Sequence, residues 1–183
     1  SLNELVKASK SELIVRLDAR CKINKFYLEK IARLSQETGA ANVGGIRTPI
    51  SKNEKQKIIG DVMTHPLCFG ANSKRYPNKR SYVDSVYLGA FNVSKMPPEP
   101  WFDEIQPGIS EDSDLNYRIE KLGEKILVDP NIIVYYYPRE TLKSFYKLCF
   151  YWGIGRGITT LKNKKIFSYK HLLLPFFIIL YLF

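Results

Sequence analysis

Short apolar segments alternate with amphipathic ones along most of this chain, and that alternation limits the possible folds more than any other feature. Residues 12–17 are mostly apolar and end beside Asp18. Apolar residues then recur at helical spacing over 26–34, Gly39 follows, and 41–46 is another short apolar run. Strands that alternate with helices predict an α/β fold. Ligands of such sheets bind beyond the carboxyl ends of strands, which makes Asp18 a candidate site residue.

The second half of the chain continues this pattern. Strands are predicted at 81–88, 125–128 and 132–136, and a basic, aromatic amphipathic helix is predicted at 141–162. The stretch 48–80 is basic and rich in Gly, Pro and Asn, which predicts a long irregular connection.

Three carboxylates, on Glu111, Asp112 and Asp114, stand where turn-forming residues 106–108 give way to an apolar helical pattern. Free backbone N–H groups and the helix dipole favour negative charge at such a position. One interpretation is an ordinary amphipathic helix with acidic residues in its first turn. The other is an acid placed for chemistry, and the rest of the chain favours it.

The positions of the basic residues point to an anionic partner. The formal net charge is +10 in 183 residues, which suits nucleic acid, a phosphate-bearing substrate or an acidic membrane face. One basic group, over 139–170, runs into the apolar residues 172–183, a pattern typical of membrane surfaces. The apolar run is shorter than the ~20 residues that span a bilayer. We therefore expect the start of a span or a helix inserted into the interface, with a buried C-terminal helix as the alternative; the apolar run disfavours a nucleic-acid-binding protein.

Four signatures occur along the chain in a fixed order. They are 14–17 with Asp18-Ala19-Arg20, then Val43-Gly44-Gly45, then Phe102-Asp103-Glu104 with the acidic stretch 111–118, and last Tyr137-Pro138-Arg139 with Tyr151-Trp152-Gly153. This ordered set resembles the family 2 glycosyltransferases of GT-A fold, in particular their membrane-associated, succinoglycan-biosynthesis glucosyltransferase-like type.

The resemblance implies a partial GT-A fold with a mixed sheet flanked by helices, plus a C-terminal membrane-proximal helix. Residues 1–138 are then the C-terminal part of the glycosyltransferase domain, 139–171 a basic interfacial helical region, and 172–183 the start of a membrane-inserted segment. The family's N-terminal nucleotide-binding strands are expected to precede Ser1.

The implied reaction moves a sugar from a nucleotide-diphosphate sugar to a hydroxyl of a lipid-linked or polysaccharide acceptor by an inverting displacement. Asp112 matches the family's catalytic aspartate, the base that takes the hydroxyl proton. Asp18 matches the first acid of the D-x-D motif, which binds the donor and a divalent metal, Mg²⁺ or Mn²⁺. The further residues expected to contact substrate are Glu111, Asp84, Gly89, Asp103 and Trp152.

Arg20 stands where the motif has its second acid, and a guanidinium cannot ligate a metal. Two explanations stay open. Asp18 holds the metal together with water and diphosphate oxygens, or Arg20 itself binds the diphosphate and the metal site is weakened or absent.

Structural explanations compete with several of these roles. Asp18 is also explained as a cap of a strand end, Asp84 and Asp103 as caps of a strand and a turn, and Trp152 as an interfacial anchor. A catalytically inactive glycosyltransferase-like fragment that acts as a binding module is the alternative to the enzyme. For the enzyme we expect the cell membrane as location, with the catalytic part on the cytoplasmic side, since the three cysteines show no metal-binding spacing and suit a reducing compartment.

Overall fold

The computed structural model describes residues 1–65, 76–104 and 110–163. Within them the α-helices are α1 (Leu2–Ala8), α2 (Tyr27–Thr38), α3 (Glu54–Thr64), α4 (Glu111–Lys121) and α5 (Leu142–Lys162). The strands are β1 (Leu13–Val15), β2 (Cys21–Lys22), β3 (Asn42–Pro49), β4 (Ser81–Tyr82), β5 (Tyr87–Asn92) and β6 (Ile126–Tyr136).

All of these strands belong to one sheet, in the order β1-β5-β3-β6-β2, with β4 also paired to β6. The pair β3–β6 is parallel, and the other pairs are antiparallel. Helices cover both faces. The α/β class and the mixed sheet flanked by helices are therefore confirmed, and the architecture is consistent with a partial GT-A-like fold.

Two apolar clusters hold the helices against opposite parts of the sheet. Tyr27 and Ile31 of α2 are buried in one cluster with residues of β3, β5 and β6. Leu115 and Ile119 of α4 are buried in the other, together with Phe102. Burial of such side chains stabilises each helix by roughly 1.5–3 kcal/mol per residue. The second cluster thereby packs α4 against residues of β5 and β6.

The parallel pair contains an irregularity that requires a glycine. Gly45 lies opposite Asp129, but the next residue, Ile46, lies opposite Ile133. At Gly45 a Cβ atom would be 2.0 Å from the carbonyl oxygen of Ile132. The absence of a side chain there lets the two strands stay paired across the displaced residues of β6.

The predicted elements agree with the structure at most positions and differ where pairing decides. The predicted strands 125–128 and 132–136 form one strand, because β3 continues as their common neighbour. The predicted strand 81–88 is divided into β4 and β5, which pair with different partners.

The stretch 48–80 was predicted to be irregular but contains α3. Asn53 caps this helix, because its side chain accepts a hydrogen bond from the Gln56 N–H. A helix over the predicted range 141–162 is confirmed, but its apolar residues are spread around the helix and not confined to one face.

The predicted membrane-inserted segment 172–183 lies outside the described residues. Within residues 1–65, 76–104 and 110–163, none of the helices combines the length and the apolar character needed to cross a bilayer.

The requirement for glycine in the parallel pair can be tested by Gly45→Ala. The added methyl group would meet backbone atoms that cannot rotate away, so we expect a loss of about 3 kcal/mol in the free energy of unfolding. The measurement is chemical denaturation followed by circular dichroism. Gly153→Ala is the matched control, because nothing lies within 4 Å of a Cβ there. In a helix this change should be neutral or stabilising by up to about 1 kcal/mol. Equal effects of the two changes would contradict the packing argument.

Candidate active site

A narrow cleft opens between β5 and the first turns of α4. Both of the acids on which the sequence prediction depends, Asp18 and Asp112, line it, and Gly89 does so as well. The remaining lining residues are Arg16, Asn42, Val86, Tyr87, Leu88, Phe91 and Asn116. The cavity volume is ≈ 60 Å³, far below the roughly 300–1,000 Å³ of pockets that enclose whole ligands. The cleft therefore has room for a reacting group but not for an entire nucleotide sugar.

Arg16 joins the end of β1 to the start of α4. Its Nε lies 3.1 Å from Asp18 Oδ1 and its Nη1 lies 3.0 Å from Glu111 Oε1. Burial lowers the pKa of this guanidinium, but the two carboxylates outweigh burial and raise it above its ordinary value. Among the residues that line the cleft, the positive charge of Arg16 stands against the two negative charges of Asp18 and Asp112, so their formal charges sum to −1.

Asp112 is presented by the first turn of α4. The residue before the helix, Ser110, has φ +69° and makes no side-chain capping bond. Asp112 Oδ1 accepts the backbone N–H of Ser113 at 2.8 Å, which helps to satisfy the free donors of the turn. Its Oδ2 has no hydrogen-bond partner in the part of the chain that the structure describes, so this oxygen can accept a proton from a ligand in the cleft.

A pair of buried amides fixes α4 against the sheet beneath the cleft. Asn42 Nδ2 donates to Asn116 Oδ1 at 2.8 Å, and both residues are almost fully buried. Asn116 lies one helical turn after Asp112, so the two side chains share a face of α4. The Asn42 amide occupies the space left by Gly89, where a Cβ would lie 2.2 Å from Asn42 Oδ1. Gly89, which was predicted to contact substrate, is required here for packing against Asn42.

The strand that forms the other wall of the cleft has an unusual backbone. Leu88 has φ +50°, a conformation that costs a non-glycine residue roughly 1–3 kcal/mol. Its carbonyl oxygen accepts a hydrogen bond from the Tyr27 hydroxyl at 3.2 Å. Burial raises the pKa of Tyr27 to about 12, so this hydroxyl remains a donor at neutral pH. Leu88 is thereby held in position beside Gly89.

Asp114 has a structural role in α4. It is almost fully buried, and its carboxylate forms an ion pair with Arg118, whose Nε lies 3.2 Å away. Lys162 of α5 lies 3.2 Å from Asp114 and 2.7 Å from Asp103. Burial lowers the pKa of Lys162, but its hydrogen bonds to the two carboxylates raise it overall. These contacts tie the last turn of α5 to α4.

The other predicted site residues lie away from the cleft. Arg20 donates to the Pro138 carbonyl at 3.3 Å. Asp84 is exposed between β4 and β5. Asp103 lines a second depression of ≈ 330 Å³ beside α1, in which Glu111 also takes part. Trp152 packs against the apolar cluster around α3.

The donor set of the cleft suits a cation carried by the substrate better than a permanent metal centre. Among the described residues no three acidic, histidine or cysteine side chains are grouped closely enough to hold a metal ion. Mg²⁺, however, is often bound by one or two carboxylates together with substrate phosphates. One oxygen of Asp18 is engaged by Arg16, and the other is available. Asp18 therefore fits a divalent cation that arrives with a diphosphate.

Sequence reasoning missed two functional elements of this site. In the sequence, Arg16 stands out only as part of the first predicted strand. Its position two residues before Asp18 nevertheless places both side chains on the same side of the chain. Asn42 and Asn116 are 74 residues apart, and no local pattern connects them. A polar residue at the start of an otherwise apolar strand was the only available signal.

Comparisons with known proteins support the predicted relationship. No protein-family model matches the chain. A dolichyl N-acetyl-alpha-D-glucosaminyl phosphate 3-beta-D-2,3-diacetamido-2,3-dideoxy-beta-D-glucuronosyltransferase of Methanococcus voltae is 24% identical over 168 residues, which cover 89% of this chain and 52% of the relative. Succinoglycan biosynthesis protein ExoA of Rhizobium meliloti (strain 1021) is 23% identical over 163 residues, which cover 89% of this chain and 49% of the relative.

The chain spans about half the length of the curated relatives it matches. One of them is a sugar transferase by name, and the other serves the biosynthesis of a sugar polymer. The chain is thus distantly related to glycosyltransferases.

The interdependence of Gly89 and Asn42 can be tested with a double-mutant cycle. Asn42→Ala leaves Asn116 without its partner and should lower the free energy of unfolding by about 2 kcal/mol. Gly89→Ala should cost a similar amount, because its methyl group displaces the Asn42 amide. In the Asn42→Ala background that methyl group has room, so the double variant should be no less stable than either single one. Strictly additive losses in urea denaturation would show that the two positions are independent.

Proposed function

We propose that the protein transfers a sugar from a nucleotide-diphosphate sugar to a hydroxyl of a lipid-linked or polysaccharide acceptor, by a single inverting displacement. The observation that carries this proposal is the shared cleft of Asp18 and Asp112. The likeness to a glucuronosyltransferase and to a succinoglycan-biosynthesis protein supports it.

In the proposed reaction the acceptor hydroxyl attacks the anomeric carbon of the donor sugar. The bond from that carbon to the diphosphate oxygen breaks, and the diphosphate leaves with the electron pair. Asp112 takes the hydroxyl proton, and its Oδ2, which has no hydrogen-bond partner among the described residues, suits this role. The amide pair Asn42–Asn116 and the ion pair Arg16–Glu111 hold the helix that bears Asp112, so the base needs little reorganisation.

Asp18 would hold the donor diphosphate through Mg²⁺ or Mn²⁺. When bound, the cation would neutralise part of the charge that develops on the leaving diphosphate. The net negative charge of the cleft supports this assignment, since a bare diphosphate would be repelled by it. Arg20 is then not required at the donor, because its guanidinium is hydrogen-bonded at Pro138.

The base assignment can be tested by Asp112→Asn, which keeps the size of the side chain and removes its basicity. Release of nucleoside diphosphate from a panel of nucleotide-diphosphate sugars, assayed with Mg²⁺ and with EDTA, should fall by roughly 10²–10⁴-fold. Donor binding, measured by calorimetry, should remain. Glu29→Gln is the control, since this exposed carboxylate pairs only with Arg33.

Two outcomes would count against the proposal. Wild-type turnover by Asp112→Asn would remove the base assignment. Binding of the donor without turnover by the wild-type protein would favour the alternative, an inactive binding module.

We further propose that the protein works at an anionic membrane surface, on its cytoplasmic side. The inner side of α5 packs against α3 and α4, whereas a row of apolar side chains at helical spacing faces solvent. This outer stripe of α5 consists of Leu142, Tyr146, Phe150, Ile154, Ile158 and Leu161. Lys143 and Lys147 flank it. An apolar stripe bordered by lysines suits a helix lying in the headgroup region, and the free thiols of Cys21 and Cys149 suit a reducing compartment.

Membrane contact of the outer stripe can be tested with an environment-sensitive dye. The dye would be attached at Phe150→Cys, in a background whose native cysteines are replaced by serine. Phosphatidylglycerol-containing vesicles should shift its emission to the blue, because the side chain enters an apolar medium. Leu28→Cys is the control, since Leu28 is about as exposed but lies on α2 (54% against 59%). An unshifted spectrum at both positions would show that α5 does not touch the membrane, whatever tethers the chain.

A further inference from the structure

The arginines of the described residues differ in whether they have an acidic partner. Arg16, Arg33, Arg80 and Arg118 each form an ion pair. Within residues 1–65, 76–104 and 110–163, no carboxylate lies within ion-pair distance of Arg20, Arg47 or Arg139, nor of Lys52. Unpaired cations at a surface are common, but these four lie around the same short segment at the end of β6.

The carbonyl oxygen of Pro138 is the centre of this arrangement. Arg20 Nη1 donates to it at 3.3 Å, and Gln56 Nε2 donates to it at 3.1 Å. Gln56 in turn accepts the backbone N–H of Lys52 at 2.8 Å, and the Lys52 ammonium lies 5.2 Å from the centre of the Tyr137 ring. Arg139 follows Pro138 directly. We call Arg20, Lys52 and Arg139 the cation cluster.

Arg139 contributes the strongest indication that an anion belongs here. Its Nε is buried and has no hydrogen-bond partner among the described residues. A buried donor without an acceptor is unfavourable, and such atoms are rare in native structures. The carboxylate nearest in sequence, Glu140, is exposed and forms no ion pair in the described part of the chain. The described residues therefore supply no acceptor for this donor, and an anionic ligand would supply one.

The surroundings of the cluster indicate which anion suits it. A phosphate offers several acceptor oxygens to neighbouring guanidinium and ammonium donors. The outer stripe of α5 begins at Leu142, three residues after Arg139. On the other side, Arg47 lies 5.2 Å from the Tyr136 ring and 5.4 Å from the Tyr87 ring. Tyr87 also lines the cleft of Asp112.

We propose that the cation cluster binds the phosphate of a lipid-linked acceptor, whose hydrocarbon chain lies along the outer stripe of α5. The acceptor sugar would then extend past Arg47 and Tyr87 toward Asp112. This assignment rests on the proposed sugar transfer and identifies the acceptor as a lipid phosphate instead of a neutral polysaccharide. It also gives Arg20 a function outside the donor site.

The test measures binding of farnesyl phosphate, a short lipid phosphate, to the whole protein by calorimetry, with farnesol and inorganic phosphate as comparison ligands. Lys52→Gln and Arg139→Gln should each weaken farnesyl phosphate binding about tenfold or more. Binding of farnesol should not change. Arg139→Lys keeps the charge and should retain most of the affinity. Arg33→Gln, at an exposed arginine on α2, is the control.

Three results would overturn the inference: unchanged farnesyl phosphate affinity in the cluster variants, an equal loss of nucleotide-sugar affinity in them, and inorganic phosphate bound as tightly as farnesyl phosphate. The second would assign the cluster to the donor, and the third would indicate a site for free phosphate. Thermal unfolding of Lys52→Gln, an exposed position, separates lost binding from lost folding. Loss of lipid phosphate binding in these variants, together with wild-type turnover by Asp112→Asn, would uphold this inference and refute the proposed base.

Discussion

The double ion pair of Arg16 is the interaction on which the organisation of the cleft depends. One guanidinium contacts Asp18 at the end of β1 and Glu111 at the start of α4. Without it, two carboxylates would face each other beside a third, on Asp112, and their repulsion would separate the strand from the helix. The remaining negative charge is what makes the cleft suitable for a cation and unsuitable for a bare phosphate.

Helix α4 is held at three places along its length, and each contact reaches a different part of the fold. Glu111 is held from β1, Asn116 from β3, and Asp114 from the end of α5. These contacts position the backbone of α4 at Asp112, whose own side chain adds a hydrogen bond from the Ser113 N–H. Asn42 Oδ1 is buried and has no hydrogen-bond partner within the described residues, and Gly89 provides the space that it occupies.

The distribution of charge separates two regions that anions could approach. Acids dominate the cleft, where they suit a cation carried by a donor. Cations without an acidic partner among the described residues surround the end of β6, beside a helix whose outer side is apolar. In a transferase for lipid-linked acceptors, these two regions would bring the donor and the acceptor to Asp112 from different directions, which limits competition between two phosphate-bearing substrates for one site.

The local sequence was sufficient for elements whose cause is local. The acidic first turn of α4 follows from turn residues before an apolar helical pattern, and α2 ends where Gly39 can adopt φ +59°. The α/β class, the long helix at 142–162 and the placement of Asp18 after a strand follow from periodicity in the same way. The family resemblance implied roles for Asp18 and Asp112 in one reaction, and the tertiary structure places both in one cleft.

Contacts between residues far apart in the chain were decided only by the tertiary structure. Three features depend on which segments become neighbours. They are the amide pair Asn42–Asn116, the hydrogen bond of Arg20 to a carbonyl 118 residues away, and the pairing that joins 125–128 and 132–136 into one strand. Hydrophobic periodicity reports the face that a segment buries, whereas the partner on that face is chosen by packing and pairing of the whole sheet. Composition thus determined that the protein is basic, and periodicity determined that it is α/β. The fold alone decided which of its charges have partners among the described residues and which remain to bind something else.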